Sequence, residues 1–413
     1  MMISFIFLLL ATPVFAADWT FSTQPYEGVR IWVNGTEAKA TLVSNDKEIG
    51  TFRMNVPNSS FRLKVSKSGF RNFEATASPA QTRFLAALDT ENSRLRFLQR
   101  IPTGAQPKSA TFLDETHVVL PLLADHGIDV ASVVSNEIQR IAPPANLAAR
   151  QGFVESAVIK NQGELWVSQM TTNSVHVFSL PGLLYQSTLP VPGQWGKVLL
   201  SDPDRRIVYF SKWMSKDIAI IDSQTHQITG SIPAGGVPRG LALSQDGKYL
   251  YVAQYGRDNG EDKLGRVVKV SLDSRSIIKT IGQEGAKRHM VLSRKRNRMY
   301  VSDMARNEIS VIDLSTDEEV QTFKTFDKPN TIALNSDENH LYVSCRGPNN
   351  PDSYLKPGLV LGRVQGFDLD SGNLVEDVQS GNQPTGLAIS PSGQWLVSTD
   401  FLDAAARVFE ILR

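Results

Sequence analysis

The sequence predicts an all-β protein, a seven-bladed β-propeller preceded by a small β-sandwich domain, and three observations carry the prediction. A two-strand motif, clearest from Arg239 to Val252, recurs seven times, its first strands centred on Ala110, Ala157, Val198, Leu241, Met290, Ile332 and Leu387 at intervals of 47, 41, 43, 49, 42 and 55 residues. Periods of that length mark a propeller, whose blades are four-stranded sheets that cannot bury both faces alone. After each motif come a third strand, such as 309–313, a Ser-Thr-Asp turn and a fourth strand, such as 320–323, alternating at period two. No long helical pattern interrupts the array.

Taken in order, residues 1–16 are expected to be a signal peptide. Residues 3–10 form an apolar core, Val14-Phe-Ala16 presents small residues to a peptidase, and Asp18 and Trp19 open a polar stretch. The apolar run of about ten to fourteen residues falls short of the ~20 that span a bilayer. No cysteine follows it for lipid attachment, so the mature chain is expected to carry no membrane anchor.

Residues 17–80 are expected to form the β-sandwich and a linker. The stretches 29–33, 50–54, 61–65 and 72–76 alternate, Asn34-Gly35 is a hairpin turn, and 75–81 is rich in small and polar residues. Residues 81–413 then make the propeller. Its last unit supplies only three strands, 385–390, 395–399 and 406–411, so the alternating stretch 94–101 is expected to pair beside the last of them and close the ring. The stretch 84–88 also reads as a strand, and an eighth blade follows if it belongs to one.

Leu250-Tyr-Val252, Met299-Tyr-Val301 and Leu341-Tyr-Val343, with Ile312-Asp313 and Phe367-Asp368 after the last two, give the chain from about residue 83 onward a resemblance to bacterial YVTN-type β-propeller repeat proteins. Val118-Val-Leu120 and Leu165-Trp-Val167, in the first two blades, depart furthest from that pattern. Ile31-Trp-Val-Asn-Gly35 and Val65-Ser-Lys-Ser-Gly-Phe70 are similar to a PEGA-type module. The resemblance implies a protein of the bacterial envelope, periplasmic or secreted to the cell surface. Propellers that resemble this one include lactonases, lyases and quinoprotein dehydrogenase subunits, so it also implies an enzymatic alternative.

Composition narrows the partners. A formal net charge of +1 over 413 residues gives no general attraction to nucleic acid or an anionic membrane, so any electrostatic preference is local. The single cysteine, Cys345, excludes an internal disulfide and a Cys-x-x-Cys-His haem site, and it reads as a small buried apolar residue.

Equivalent positions of the blades converge on one end of the channel, where a preformed concave site is expected. Two residues before each first-strand centre, the repeats carry Lys108, Glu155, Gly196, Arg239, Arg288, Asn330 and Thr385, and the next column adds Lys197 and His289. At the ends of the second strands, two further columns contribute Lys212, Asp303 and Cys345, then Trp213, Tyr255, Arg346 and Asp400. The expected ligand-binding residues are therefore Lys108, Lys197, Lys212, Trp213, Arg239, Tyr255, Arg288, His289, Asp303 and Arg346, a cationic mouth with aromatic walls. Arginine and lysine in such a mouth suit carboxylates and phosphates, and the aromatic rings suit a sugar, acyl or peptide group. Insertions at 255–266 and 345–363 are expected to rise beside it.

Catalytic signatures are missing. There is no Gly-x-Ser-x-Gly elbow, no His-Glu-x-x-His, no phosphate-binding glycine loop and no zinc spacing. The acidic turn 258–262 lacks the ligand spacing of an EF-hand. The expectation is a monomeric, non-enzymatic binding or scaffolding protein without metal or cofactor. Its partner is an anionic small molecule, a glycan or an envelope protein, and not nucleic acid. An enzyme of the same fold would have to draw its acid and base from His289, Asp303 and Glu155.

Overall fold

The computed structural model describes residues 17–46, 49–81, 84–91, 93–135, 137–146, 151–257, 264–358 and 360–412. The expected signal peptide and the acidic turn 258–262 lie outside them. The described chain is built of β-strands and divides into two compact units, the second beginning at Ser93.

The first unit holds eight strands: β1 (Ala17–Gln24), β2 (Arg30–Val33), β3 (Thr36–Glu37), β4 (Thr41–Asp46), β5 (Ile49–Val56), β6 (Phe61–Ser66), β7 (Phe73–Ala77) and β8 (Leu85–Ala87). They form two sheets of order β4-β5-β1-β8 and β3-β2-β6-β7. In β6 the alternation buries Phe61, Leu63 and Val65 and leaves Arg62 outside. These residues join Trp19, Phe21, Ile31, Val33 and Met54 from both sheets in one core, where Trp19 stacks on Phe21 at 5.1 Å. Asn34 (φ 50°) and Gly35 (φ 84°) supply the two left-handed residues that turn β2 into β3.

Two details differ from the expectations drawn from sequence. The strand β8 pairs parallel to β1, Ser22 opposite Leu85, so it belongs to the sandwich and makes no eighth blade. That pairing carries the first unit past residue 80, and β7 occupies part of the stretch read as linker.

The second unit is a ring of seven four-stranded sheets. Blade 5 shows the plan: Lys287–Ser293, Arg298–Asp303, Glu308–Asp313 and Glu318–Lys324 pair antiparallel in chain order. Blade 7 takes Pro384–Ile389, Trp395–Asp400 and Ala405–Ile411, and its fourth strand is β9 (Leu95–Pro102), with Ala405 opposite Pro102 and Ile411 opposite Leu95.

Apolar side chains weld adjacent blades. Tyr300, Val311 and Phe323 of blade 5 meet Ile332, Leu341, Val343 and Phe367 of blade 6, and Cys345 lies fully buried among them. Burial pushes its thiol far up, so it stays protonated and acts as packing. Each such aliphatic or aromatic side chain contributes about 1.5–3 kcal/mol relative to exposure. A rigid ring of this kind holds its channel ends in fixed geometry.

Candidate functional site

At one end of the channel each blade closes by pairing its first strand, or the residues leading into it, with the end of its second, and in blade 4 the ladder runs two pairs further, to Gly236–Arg257. The pairs are Pro107–Leu122, Phe153–Gln169, Gly196–Lys212, Pro238–Gln254, Lys287–Asp303, Pro329–Cys345 and Pro384–Asp400. In six blades the register then slips by one residue on the first strand, as between Lys287 and Met290 opposite Asp303 and Val301. Such bulges re-aim the side chains beside them.

The residue following each member of these pairs falls in one of two rings. The first strands give Lys108, Val154, Lys197, Arg239, Arg288, Asn330 and Thr385, and the second strands give Leu123, Met170, Trp213, Tyr255, Met304, Arg346 and Phe401. All seven of the second ring, and Lys108, Val154, Lys197 and Arg288 of the first, line one cavity of about 650 Å³. A cationic floor thus lies under a mostly apolar and aromatic collar.

Buried serine hydroxyls fix the floor. Ser302 accepts from the His289 amide at 3.1 Å within its own blade and donates to the carbonyl of Asn330 in the next at 2.6 Å. Ser168 donates to the Lys197 carbonyl at 2.7 Å, Ser211 to that of Arg239 at 3.4 Å, and Ser344 to that of Thr385 at 3.2 Å. Each links its blade to the floor residue of the following one. Their sequence signal was the Ser after Tyr-Val or its equivalent.

The floor is short of negative charge. Arg239 crosses from blade 4 to Glu155 of blade 2 at 3.1 Å, and among the described residues that is the floor's one recorded ion pair. Its Nη1 atom is buried without a hydrogen-bond partner, as is Nε of Arg346. Arg288 donates to Asn330 Oδ1 at 2.8 Å, and Arg346 donates to Gln383. Burial, then Arg288, Arg346 and Arg239, pull the Lys108 ammonium well below the ordinary lysine range. Burial, then Arg239, Lys108 and Arg288, do the same to Lys197. Arg288 is lowered by burial, Arg239 and Arg346, and Arg346 is brought to about 10, chiefly by burial.

Aromatic rings face these cations. Lys197 Nζ sits 3.5 Å from the centroid of Trp213 and 5.8 Å from that of Trp195, Lys108 Nζ is 4.7 Å from Phe401, and Arg288 lies 5.4 Å from Tyr255. Trp213 meets Tyr255 edge-on at 5.2 Å and Trp195 at 6.4 Å. Tyr354 and Leu355, from the insertion in blade 6, also line the cavity.

The structure brings together Lys108, Lys197, Trp213, Tyr255, Arg288 and Arg346, with Arg239 beside them in the floor. It does not bring Lys212, His289 or Asp303 to the cavity wall. Lys212 binds Asp217 at 3.0 Å and the Pro192 carbonyl at 2.6 Å. Asp303 is 0% exposed, pairs with the equally buried Lys287 at 2.9 Å, and accepts from the amides of Ala286, Ala305 and Arg306. His289 accepts the Ile332 amide at 3.4 Å, and burial, then Arg239 and Arg288, lower it to about 4, so it is neutral near pH 7. Asp400 is buried against Arg407 at 2.7 Å. Two of the three acids in the aligned columns, Asp303 and Asp400, are therefore spent inside the blades, and Glu155 alone of the three pairs with a floor cation.

A larger depression of about 970 Å³ opens at the other end of the first strands, walled by residues such as Leu200, Val291, Leu334 and Ile389. Asp202 and Arg205 pair at its rim at 3.0 Å. Among the described residues no three His, Cys, Asp or Glu side chains stand together as ligands for a metal ion.

Comparison with known proteins adds three findings. The family described as Lactonase, 7-bladed beta-propeller matches residues 257–412. Antigen Lp49 of Leptospira interrogans serogroup Icterohaemorrhagiae serovar copenhageni (strain Fiocruz L1-130) is 43% identical over 396 residues, covering 94% of this chain and 87% of that protein. Among solved structures, Kuenenia stuttgartiensis hydrazine synthase superposes with a TM-score of 0.62 at 17% identity, over 74% of this chain and 95% of that one, a likeness of fold alone.

Proposed function

This chain belongs to the family of the Leptospira Antigen Lp49, and from that premise we propose that it is an exported β-propeller that binds an anionic small molecule in the cationic channel mouth. One observation carries the reading: Lys108, Lys197, Arg239, Arg288 and Arg346 converge with Glu155 as their one recorded carboxylate partner among the described residues. Uncompensated buried cations are costly, and an entering carboxylate or phosphate relieves that cost while Arg288 and Arg346 offer it two-point hydrogen bonds. The apolar run at 1–16 and a relative named as an antigen both support export, to the periplasm or the cell surface. In this reading the blades are YVTN-type repeats and the N-terminal sandwich is a PEGA-like module.

The test is calorimetric titration of the full chain with di- and tricarboxylates, phosphorylated small molecules and uronic-acid glycans, beside neutral analogues. Anions should bind and raise the melting temperature, and Arg288→Gln combined with Arg346→Gln should lose at least about a hundredfold in affinity, as expected when two charge-assisted bonds are removed. Unchanged affinity in a folded double variant sinks the proposal.

The match of residues 257–412 to a lactonase family favours a second reading, a propeller enzyme using the same mouth. Its expected acid–base set is poorly supported, because Asp303 is sealed in an ion pair and Glu155 is held by Arg239. Hydrolysis of a lactone panel that vanishes in the Arg288 and Arg346 double variant would favour it over simple binding.

A further inference from the structure

The depth of each ring in the cavity says more than its charge. Two residues before each floor position the backbone repeatedly turns left-handed, at Gln106 (φ 57°), Gly152 (φ 107°), Trp195 (φ 57°), Lys328 (φ 59°) and Gln383 (φ 56°). Glycine and glutamine satisfy that turn in other blades, so the fold does not require tryptophan, and a bulky residue is disfavoured there. Trp195 nevertheless holds a 46% exposed indole at the cavity lip. It sits edge-on to Trp213, itself edge-on to Tyr255, so three rings from adjoining blades 3 and 4 share one wall without stacking on each other. An exposed aromatic kept at a strained position is a mark of contact with something outside the fold.

Below that wall, Lys108, Lys197, Arg288 and Arg346 have no recorded carboxylate partner among the described residues, since Glu155 is engaged by Arg239. A single negative charge would leave most of them unmatched. A volume near 650 Å³ suits a small ligand, not a polymer.

Resting on the anion-binding reading above, we infer that the ligand is a flat, unsaturated ring compound bearing at least two acidic groups, its ring against Trp195, Trp213 and Tyr255 and its acids on Lys108, Lys197, Arg288 and Arg346. The cavity selects by ring face at the lip and by acid count at the floor. Calorimetry of the full chain with three matched probes separates these demands. Benzene-1,3-dicarboxylate has both features, cyclohexane-1,3-dicarboxylate lacks the flat ring, and benzoate lacks the second acid.

The aromatic diacid should bind at least about tenfold more tightly than either control, the scale of one good aromatic contact or one charge-assisted bond. In Trp195→Gly, which suits the left-handed backbone and should melt no lower than the wild type, the preference over the cyclohexane probe should collapse while the cyclohexane affinity holds. Equal binding of the two diacids overturns the flat ring and leaves anion binding standing. Benzoate equal to the aromatic diacid overturns the acid count. A preference that survives Trp195→Gly overturns the role of that indole, and failure of both diacids together with the wider anion panel removes the underlying reading as well.

Discussion

Replacing Lys197 with methionine should stabilise the ligand-free propeller and weaken its hold on anions at the same time. Lys197 is 6% exposed, its ammonium rests 3.5 Å from the Trp213 centroid, and its charged neighbours are chiefly Arg239, Lys108 and Arg288. Near pH 7 the folded protein either carries that charge against burial and like charge or gives up the proton. Giving up a proton from a group whose ordinary value is 10.5 costs about 5 kcal/mol at pH 7, which caps the strain. Methionine keeps the length and a sulfur contact to the indole, so the main loss is a cation–π contact of about 2 kcal/mol. The net gain should be about 1–3 kcal/mol. Because the folded value is lowered, the unfolded chain binds more protons between that value and 10.5, and wild-type stability rises with pH across this window. The variant lacks that rise, so its advantage should be greatest near neutrality and fade by about pH 10.5. Thermal unfolding of the full chain, followed by β-sheet circular dichroism at pH 7 and pH 10, measures both. A variant that melts lower at pH 7, or gains equally at both pH values, refutes the reasoning.

Two further outcomes follow from buried groups. Asp303→Ala removes the carboxylate partner of Lys287 in a 1% exposed site, leaving the Ser310 hydroxyl as its hydrogen-bond partner among the described residues, and should cost about 3–5 kcal/mol in denaturant titration; a loss under about 1 kcal/mol would show that the pair is not buried as described. His176, bonded to Gln169 and Thr188, and His289 are both lowered to about 4, mainly by burial, so the unfolded chain takes up protons that the folded one refuses as pH falls from 6.5. Stability should therefore decline between pH 6.5 and 4 by up to about 3 kcal/mol for each histidine, and His176→Gln should remove its share; an acid limb identical in that variant excludes His176 as a source.

Blade number and order were readable because the apolar period repeats across a hundred-kilocalorie-scale core, and such patterns tolerate local error. The site was readable only in part. Alignment on the first apolar residue placed Glu155 and Gly196 in the floor column, whereas pairing puts Val154 and Lys197 there, because Phe153 and Gly196 are the first-strand members of the closing pairs. Asp400 was likewise placed in the collar where Phe401 stands. First strands face the channel on one side and a neighbouring blade on the other, so two adjacent residues are equally apolar and hydropathy cannot choose the register. Trp195 escaped notice because no periodicity marks a left-handed turn. The sandwich boundary was misjudged for a related reason: β8 is three residues long and its parallel partner lies far back in the chain.

The clasp between β9 and Ala405–Ile411 also sets an order of events in time. A strand emerging from the ribosome ahead of every blade must wait, with its hydrogen-bonding edge open, until the six sheets behind it and the three remaining strands of its own exist. Completion of the ring is then among the slowest and most aggregation-exposed steps of folding, since the entropy of closing so long a loop is spent before the last contacts form.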